Sequence, residues 1–240
     1  MADIHYLDTG IYTIARASDL TGISTRKIHD WLFGTIRTQQ VGRWQPILPR
    51  EGGRPLMLGF VDLMEIILVN IFRKDGMSWK KIAKAISASH SQYGAKYPFV
   101  TQKFFVALKQ IYMDMPNDGH CQTSMDTESG QFVLTDLIDP IKQHREAMRL
   151  ALAFYEVLDY GDDGLPFRWH LIGRNRAVVM DRRVAMGEPI TATAGVPTRV
   201  IVEALKEYDF DRSCLREGYG VSDEEIEAAI EYEATRERAA

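Results

Sequence analysis

The sequence predicts an α+β, mostly helical protein with a winged helix-turn-helix at its N-terminal end. Three observations carry this reading. Residues 13–32 form two short apolar stripes around a glycine turn, residues 60–86 form a second pair of stripes, and the strand-like runs VVMD and PITATA precede three capped helical segments. The changes of pattern divide the chain into 1–98, a winged helix-turn-helix, 99–173, a small β-rich connector, and 174–240, a C-terminal unit of short strands and a three-helix, helix-turn-helix-like bundle.

In TIARASDLTGISTRKIHDWL, Ala17 and Leu20 make the first stripe, and Gly22 supplies the left-handed cap that ends it. Ile23 plugs the turn. Ser24 is a natural N-cap for a second helix whose inner side is Ile28, Trp31 and Leu32. Its outer side presents Thr25, Arg26, Lys27, His29 and Asp30. Residues 35–55 alternate around Gly42 and read as a wing carrying Arg37, Arg43, Trp44 and Arg50. A helix over about 60–74 has Val61, Met64, Leu68, Ile71 and Phe72 on one stripe and ends before Gly76. Ser78 caps the next helix, with Ile82, Ala83 and Ile86 inward and Lys80, Lys81 and Lys84 outward.

FFVALKQIYMDM alternates as strands do, and Pro140 ends the run QFVLTDLIDP beyond a polar loop at 116–130. Helix is expected over about 141–153, then strands FYEVLDY and PFRWHLI joined by GDDGL. In the C-terminal unit, Thr198 is placed to cap a helix containing Val200, Ile201, Ala204 and Leu205. Asp211 opens a short helix ending near Gly218 and Gly220. Ser222 and Glu225 form a capping box for a last helix with Ile226, Ala229 and Ile230 inward. No internal sequence repeat or low-complexity tract is apparent.

Hydrophobic and charged contents of 45% and 26% are those of a globular chain rather than a disordered one. No apolar run is long enough for a membrane span, the N-terminus lacks a signal peptide's pattern, and a cytoplasmic protein is expected. Cys121 and Cys214 fit no paired metal spacing and read as free thiols. Residues 1–110 carry 15 Lys/Arg against 8 Asp/Glu, a balance of +7, and the remainder 14 against 25, a balance of −11. Such asymmetry suits one half that meets a polyanion and another that meets water or a basic partner.

The site residues follow from this placement. Arg26 has the reach for a bidentate contact to guanine, and Thr25 for a thymine methyl or a phosphate. Ser24, Lys27 and His29 share that surface, while Arg37, Arg43, Lys80 and Lys81 suit the phosphate backbone. One such helix reads few base pairs, so a homodimer on a pseudo-palindromic stretch of double-stranded DNA is expected. The last helix displays Asp223, Glu224, Glu225 and Glu227, which phosphates repel. Two readings stay open for it: a solvated acidic face, or a surface for a basic protein. In the second, Asp223, Glu224 and Glu227 steer, and an apolar anchor comes from among Val200, Ile226, Ile230 and Tyr232. Arg174, Arg176, Arg182 and Arg183 form a basic cluster in this acidic half. No nucleotide-binding loop, zinc-protease motif, histidine ligand spacing or catalytic constellation stands out, so no enzyme, metal or cofactor is expected. Asp159, Asp162 and Asp163 read as an acidic turn.

Several stretches resemble a family of bacterial VapB-type antitoxins that join a MerR-like winged helix to a small C-terminal domain. They are DLTGISTRKIHDWL, GFVDLMEIILVNIFRKDGMSWKKIAKAI, YPFVTQKFF, LPFRWHLI and, most specifically, VVMDRRVAMGEPITATAGVPTRVIVEAL with YGVSDEEIEAAIEYE. Gly59 departs from the pattern, which has a serine-like cap there. The resemblance implies an antitoxin that neutralises a toxin, a PIN-like ribonuclease encoded beside it, and represses their operon at its operator. An arginine of the 174–183 cluster would then suit the toxin's carboxylate-lined active site. The alternative is a MerR-like transcriptional regulator with a C-terminal ligand-sensing domain and no toxin. The chain lacks the long heptad repeat that many such regulators use to dimerise.

Overall fold

The computed structural model describes residues 10–33, 57–80, 82, 97, 99–102, 108, 145–207, 209 and 211–239. Their helices are α1 (Ile14–Thr21), α2 (Thr25–Phe33), α3 (Phe60–Lys74), α4 (Arg145–Tyr155), α5 (Thr198–Glu207), α6 (Arg212–Tyr219) and α7 (Asp223–Ala239). The strands are β1 (Leu158–Tyr160), β2 (Pro166–His170), β3 (Val178–Asp181) and β4 (Pro189–Thr191), with a 3-10 turn at Ala185–Gly187. This is an α+β architecture, as the sequence predicts.

Helix α3 sits at the centre because its apolar residues lie on all sides rather than on one stripe. Phe60, Leu63, Met64, Ile66, Leu68, Val69 and Phe72 are all buried. Its N-terminus manages without a side-chain cap at Gly59. Asp62 instead reaches back to accept from the Gly59 N–H at 2.7 Å, the half of a capping box that a glycine leaves possible. Helix α4 packs alongside α3.

Glu65 is buried within α3. Its Oε1 accepts from the Phe99 N–H at 3.2 Å, and the Phe99 carbonyl accepts from the Tyr155 hydroxyl of α4 at 2.5 Å. Phe99 therefore joins two helices through both ends of its peptide, and its ring meets Phe72 edge-on at 5.4 Å. Leu108, in the run read as alternating strands, is helical, as is Gln102 just before that run. Phe104, Leu108 and Ile111 are also spaced i, i+4, i+7, so the apolar pattern fitted both periods. The expected strand at 131–140 lies outside the described residues, as does the wing at 35–55.

The four strands form an antiparallel meander in the order β1-β2-β3-β4. In register, Leu158 faces Trp169, Trp169 faces Met180, and Val179 faces Ile190. All four residues of β3 are buried because the sheet is a middle layer. Met180 belongs to the core shared with α3 and α4, where Phe154 and Trp169 meet edge-on at 5.6 Å. Val178 packs with Ala228 and Tyr232 of α7 on the other side. The boundary expected between 173 and 174 therefore falls inside the β2–β3 hairpin, and Phe99, Val100 and Leu108 share one core with α1–α3 rather than forming a separate connector.

Burial outweighs the N–H bonds from Phe99 and Val100 and pushes the Glu65 carboxyl up to about 8. A folded-state value above the unfolded one gives stability that is full at low pH. That stability is lost as pH rises from the ordinary carboxylate range through about 8. Glu65→Gln keeps the acceptor for Phe99 and removes the titration. Urea unfolding should find the variant more stable than the parent at pH 9, by roughly 2–4 kcal/mol, with the difference shrinking toward pH 5. A parent whose stability is flat between pH 5 and 9 contradicts this.

Candidate functional site

Helices α1 and α2 are joined by Gly22-Ile23-Ser24. Thr13 caps α1, accepting from the Arg16 N–H at 3.1 Å, and Gly22 closes it at φ 66° with its N–H on the Ser18 carbonyl. Ile23 is buried as the plug. Ser24 Oγ accepts a long 3.5 Å bond from the Lys27 N–H, and Ile28, Trp31 and Leu32 face inward. Ser24, Thr25, Arg26, Lys27 and His29 are all exposed. The Arg26 side chain is 89% exposed and approaches Asp30 only to 4.0 Å; His29 lies 3.8 Å from the same carboxylate.

The electrostatics of α2 are inverted from what its own stability favours. The first turn of a helix carries partial positive charge and unpaired N–H groups, so acidic residues stabilise it and cations do not. The first turn of α2 has no acidic residue and carries Arg26 and Lys27. Two cations over a positive helix end form a surface suited to an anionic ligand. Trp31 and Trp79 meet edge-on at 5.5 Å, and Lys80, next in the chain to Trp79, is exposed. Arg37, Arg43 and Lys81 lie outside the described residues.

The C-terminal helices repeat this local design with opposite charge. Thr13, Gly22, Ile23, Ser24 and Ile28 recur in the same spacing as Asp211, Gly220, Val221, Ser222 and Ile226. Asp211 caps α6 through the Ser213 N–H, Gly220 ends it at φ 67°, Val221 is buried, and Ser222 caps α7 through the Glu225 N–H at 3.2 Å. The repeat is hidden in the sequence because only cap and plug positions are kept. Where α2 displays Thr25, Arg26 and His29, α7 displays Asp223, Glu224 and Glu227.

Most of those acidic residues have partners at home. Asp223 meets Arg216 at 2.7 Å and Glu227 meets Arg212 at 2.5 Å. Glu225, expected on the outer face, is buried: it accepts from the N–H groups of Ser222, Thr193 and Ala194 at 2.8–3.0 Å. Burial opposes its ionisation, but these bonds prevail and hold the carboxyl below its usual range. Ile226 is 0% exposed and Tyr232 is 9% exposed, so neither offers the anchor area expected of it; α5 covers the first and β3 the second. Val200 and Ile230 are half-buried. Thr198 is the first residue of α5 rather than its cap, and its hydroxyl donates to Glu233 Oε1 at 2.5 Å.

The arginine cluster is committed as well. Arg174 pairs with Asp159, Arg176 with Glu231, Arg182 with Asp163 and Arg183 with Asp181, all within 2.9 Å. Each of the four thus has an acidic partner within the chain, in pairs that for Arg174, Arg176 and Arg183 are about half exposed. Asp159 also lies 2.9 Å from His170 Nε2; burial opposes its ionisation, but His170 and Arg174 together hold it below the usual range.

Sequence reasoning gave no hint of the joint that ties the N-terminal helix pair to the C-terminal half. The Tyr12 hydroxyl donates to the Gly187 carbonyl at 2.7 Å, and Ile11 N–H to the Met186 carbonyl at 3.1 Å. Tyr12 also exchanges two 2.8 Å backbone bonds with Leu58, directly before α3. Arg16 makes a two-pronged contact with Glu188, its Nε lying 3.0 Å from Oε1, and also binds Asp19. Arg236 of α7 lies 3.4 Å from Asp19. Its residues are separated by most of the chain, so no local pattern announces them.

No protein-family profile matches the chain, and no curated protein does. A search of solved structures finds similarity to the crystal structure of Rv2018 from Mycobacterium tuberculosis. The match has a TM-score of 0.59 at 18% identity and covers 91% of this chain and 96% of that one. At that identity the likeness is one of fold, and it extends over nearly the whole chain. Among the described residues no helix is long and apolar enough to cross a membrane, and no group of three His, Cys, Asp or Glu is placed to hold a metal ion.

The joint is closed tightly enough to test by substitution. A Cβ on Gly187 would stand 2.0 Å from the Tyr12 hydroxyl oxygen, and the residue has φ 80°. Gly187→Ala should cost about 2–5 kcal/mol in denaturant unfolding. Combined with Tyr12→Phe, which removes the clashing oxygen, the loss should fall clearly short of the two single losses added together. Additive losses would mean that the two residues do not meet.

Proposed function

We propose that the chain is a DNA-binding antitoxin: α1 and α2 form the helix-turn-helix of a MerR-like winged domain, and the C-terminal half engages a toxin. The observation that carries the DNA reading is the pair of cations, Arg26 and Lys27, in the first turn of α2. They weaken the helix that holds them and offer phosphates and guanine edges both charge and N–H donors. Buried Ile28, Trp31 and Leu32 fix which side of α2 faces outward, so the cations stay on its outer face. Exposed Lys80, next to the Trp79 that packs on Trp31, suits a phosphate contact.

The toxin reading rests on the resemblance of residues 178–205 and 219–233 to VapB-type antitoxins. Its expected partner is a PIN-like ribonuclease. A ribonuclease must attract RNA, so a net charge of −11 over residues 111–240 gives long-range attraction to its basic surface. With Asp223 and Glu227 paired, Glu224 is the acidic residue of the first turn of α7 best suited to steering. Val200 and Ile230 are the remaining apolar contacts. This function requires operator occupancy by a homodimer, each copy placing one α2 in a major groove.

Arg26→Ala with Lys27→Ala should keep the fold, with thermal unfolding at or slightly above the parental temperature, and abolish preference for the chain's own promoter over unrelated DNA. Loss of one bidentate base contact removes about 1–3 kcal/mol of discrimination. Electrophoretic mobility shift with both DNAs measures this, and an unaltered preference in the folded double variant removes α2 from the interface. In cells expressing the ribonuclease encoded beside it, the same variant should still rescue growth. A regulator without a toxin would show no rescue with either form.

A further inference from the structure

We infer that a partly exposed ring of charged residues latches α1 to α7, so that the seating of the C-terminal helices sets the stability and orientation of the α1–α2 pair. The ring runs through five charges and closes on itself. Glu188 holds Arg16, Arg16 holds Asp19, Asp19 meets Arg236 at 3.4 Å, and Arg236 lies 2.9 Å from Glu233. Glu233 accepts from the Thr198 hydroxyl, which is also 3.4 Å from the carbonyl of Pro189, the residue after Glu188.

Four features make this a latch rather than a fixed weld. Three carboxylates share two guanidinium groups, so the ring is not neutralised. Arg236 Nη1 is buried beside Glu233 without meeting hydrogen-bond geometry, so that contact is attraction without a well-made bond. The side chains of Arg16, Asp19, Glu188 and Arg236 are all between 24% and 38% exposed, within reach of water and ions. The loop that presents Glu188 is strained: Ala185 and Met186 have φ 47° and 54°, a left-handed conformation that disfavours residues bearing a side chain. Strain of this kind persists only while neighbours impose it, and Ile11, bonded to the Met186 carbonyl, is one of them.

The coupling must run through Asp19. It lies on α1, one residue before buried Leu20 and three before the Gly22 turn that aims α2. Release of Arg236 leaves Asp19 shared with Arg16 alone and frees the C-terminal end of α7 from α1. By linkage the effect is reciprocal, so a change on α1 must be felt in the C-terminal helices. Any role of the latch in DNA binding rests on the reading of α2 given above. The latch itself does not.

Amide hydrogen exchange on the full-length protein, free of DNA, tests it. Arg236→Gln should speed exchange at the amides of Gly22 and Ile28 by about tenfold, the scale of a local opening made easier by one latch contact. Arg176→Gln, which breaks the Arg176–Glu231 pair elsewhere on α7, should leave both amides at the parental rate. The reciprocal variant, Asp19→Asn, should speed exchange at the Ile226 amide, and it decides the matter if Arg236→Gln does not fold. Faster exchange confined to the helix that carries the substitution overturns the latch. Because DNA is absent, that outcome is separable from a failed promoter-binding test.

Discussion

The hydrogen bond from the Tyr12 hydroxyl to the Gly187 carbonyl is the constraint around which the other contacts of this chain arrange themselves. It needs a glycine, because a Cβ would occupy the hydroxyl's place, and it needs Tyr12 held flat against Leu58, which the paired backbone bonds ensure. With those conditions met, the segment before α1 lies between the start of α3 and the loop before β4. Burial pushes the Tyr12 hydroxyl above its ordinary range, which favours its protonated, donating form. The ring at Arg16 and Asp19 adds charge to the same junction, where partial burial strengthens each pair beyond that of a solvent-exposed one.

Charge placement separates the two similar helix pairs by purpose. Both use a capped first helix, a left-handed glycine, a buried plug and a serine cap. In α7 the first turn is acidic, its dipole is satisfied, and its carboxylates bind neighbouring arginines and backbone N–H groups. In α2 the first turn is cationic and looks outward. A helix start that favours anions is an asset only when an anion arrives, and this gives α2 its distinctive chemistry.

What was legible in the sequence was what is local. Gly22, Asp211, Gly220 and the Ser222–Glu225 box act within four residues of themselves, and the sequence places each correctly. The extent of α3, the stripe of α7 and the strands VVMD and PIT are equally local. What failed depends on distant partners. Ile226 and Tyr232 looked available because α5 and β3, which cover them, lie far away in the chain. Thr198 looked like a cap because Glu233, its acceptor, is on another helix. The supposed boundary near 174 was drawn where the sequence pattern changes, while hydrogen bonding between β2 and β3 crosses it. The acidic partners of the arginine cluster were equally hidden, because charges in sequence carry no record of their partners.

Tyr12 and Gly187 are 175 residues apart, and this separation has a consequence for synthesis. At about 5–20 residues per second, a ribosome needs roughly 10–35 s after releasing Tyr12 to deliver Gly187. Throughout that interval α1 and α2 lack their seat against the 186–188 loop, and α3 exposes apolar surface meant for partners still unmade. In a nascent chain α1 and α2 thus emerge well before the contacts that secure them.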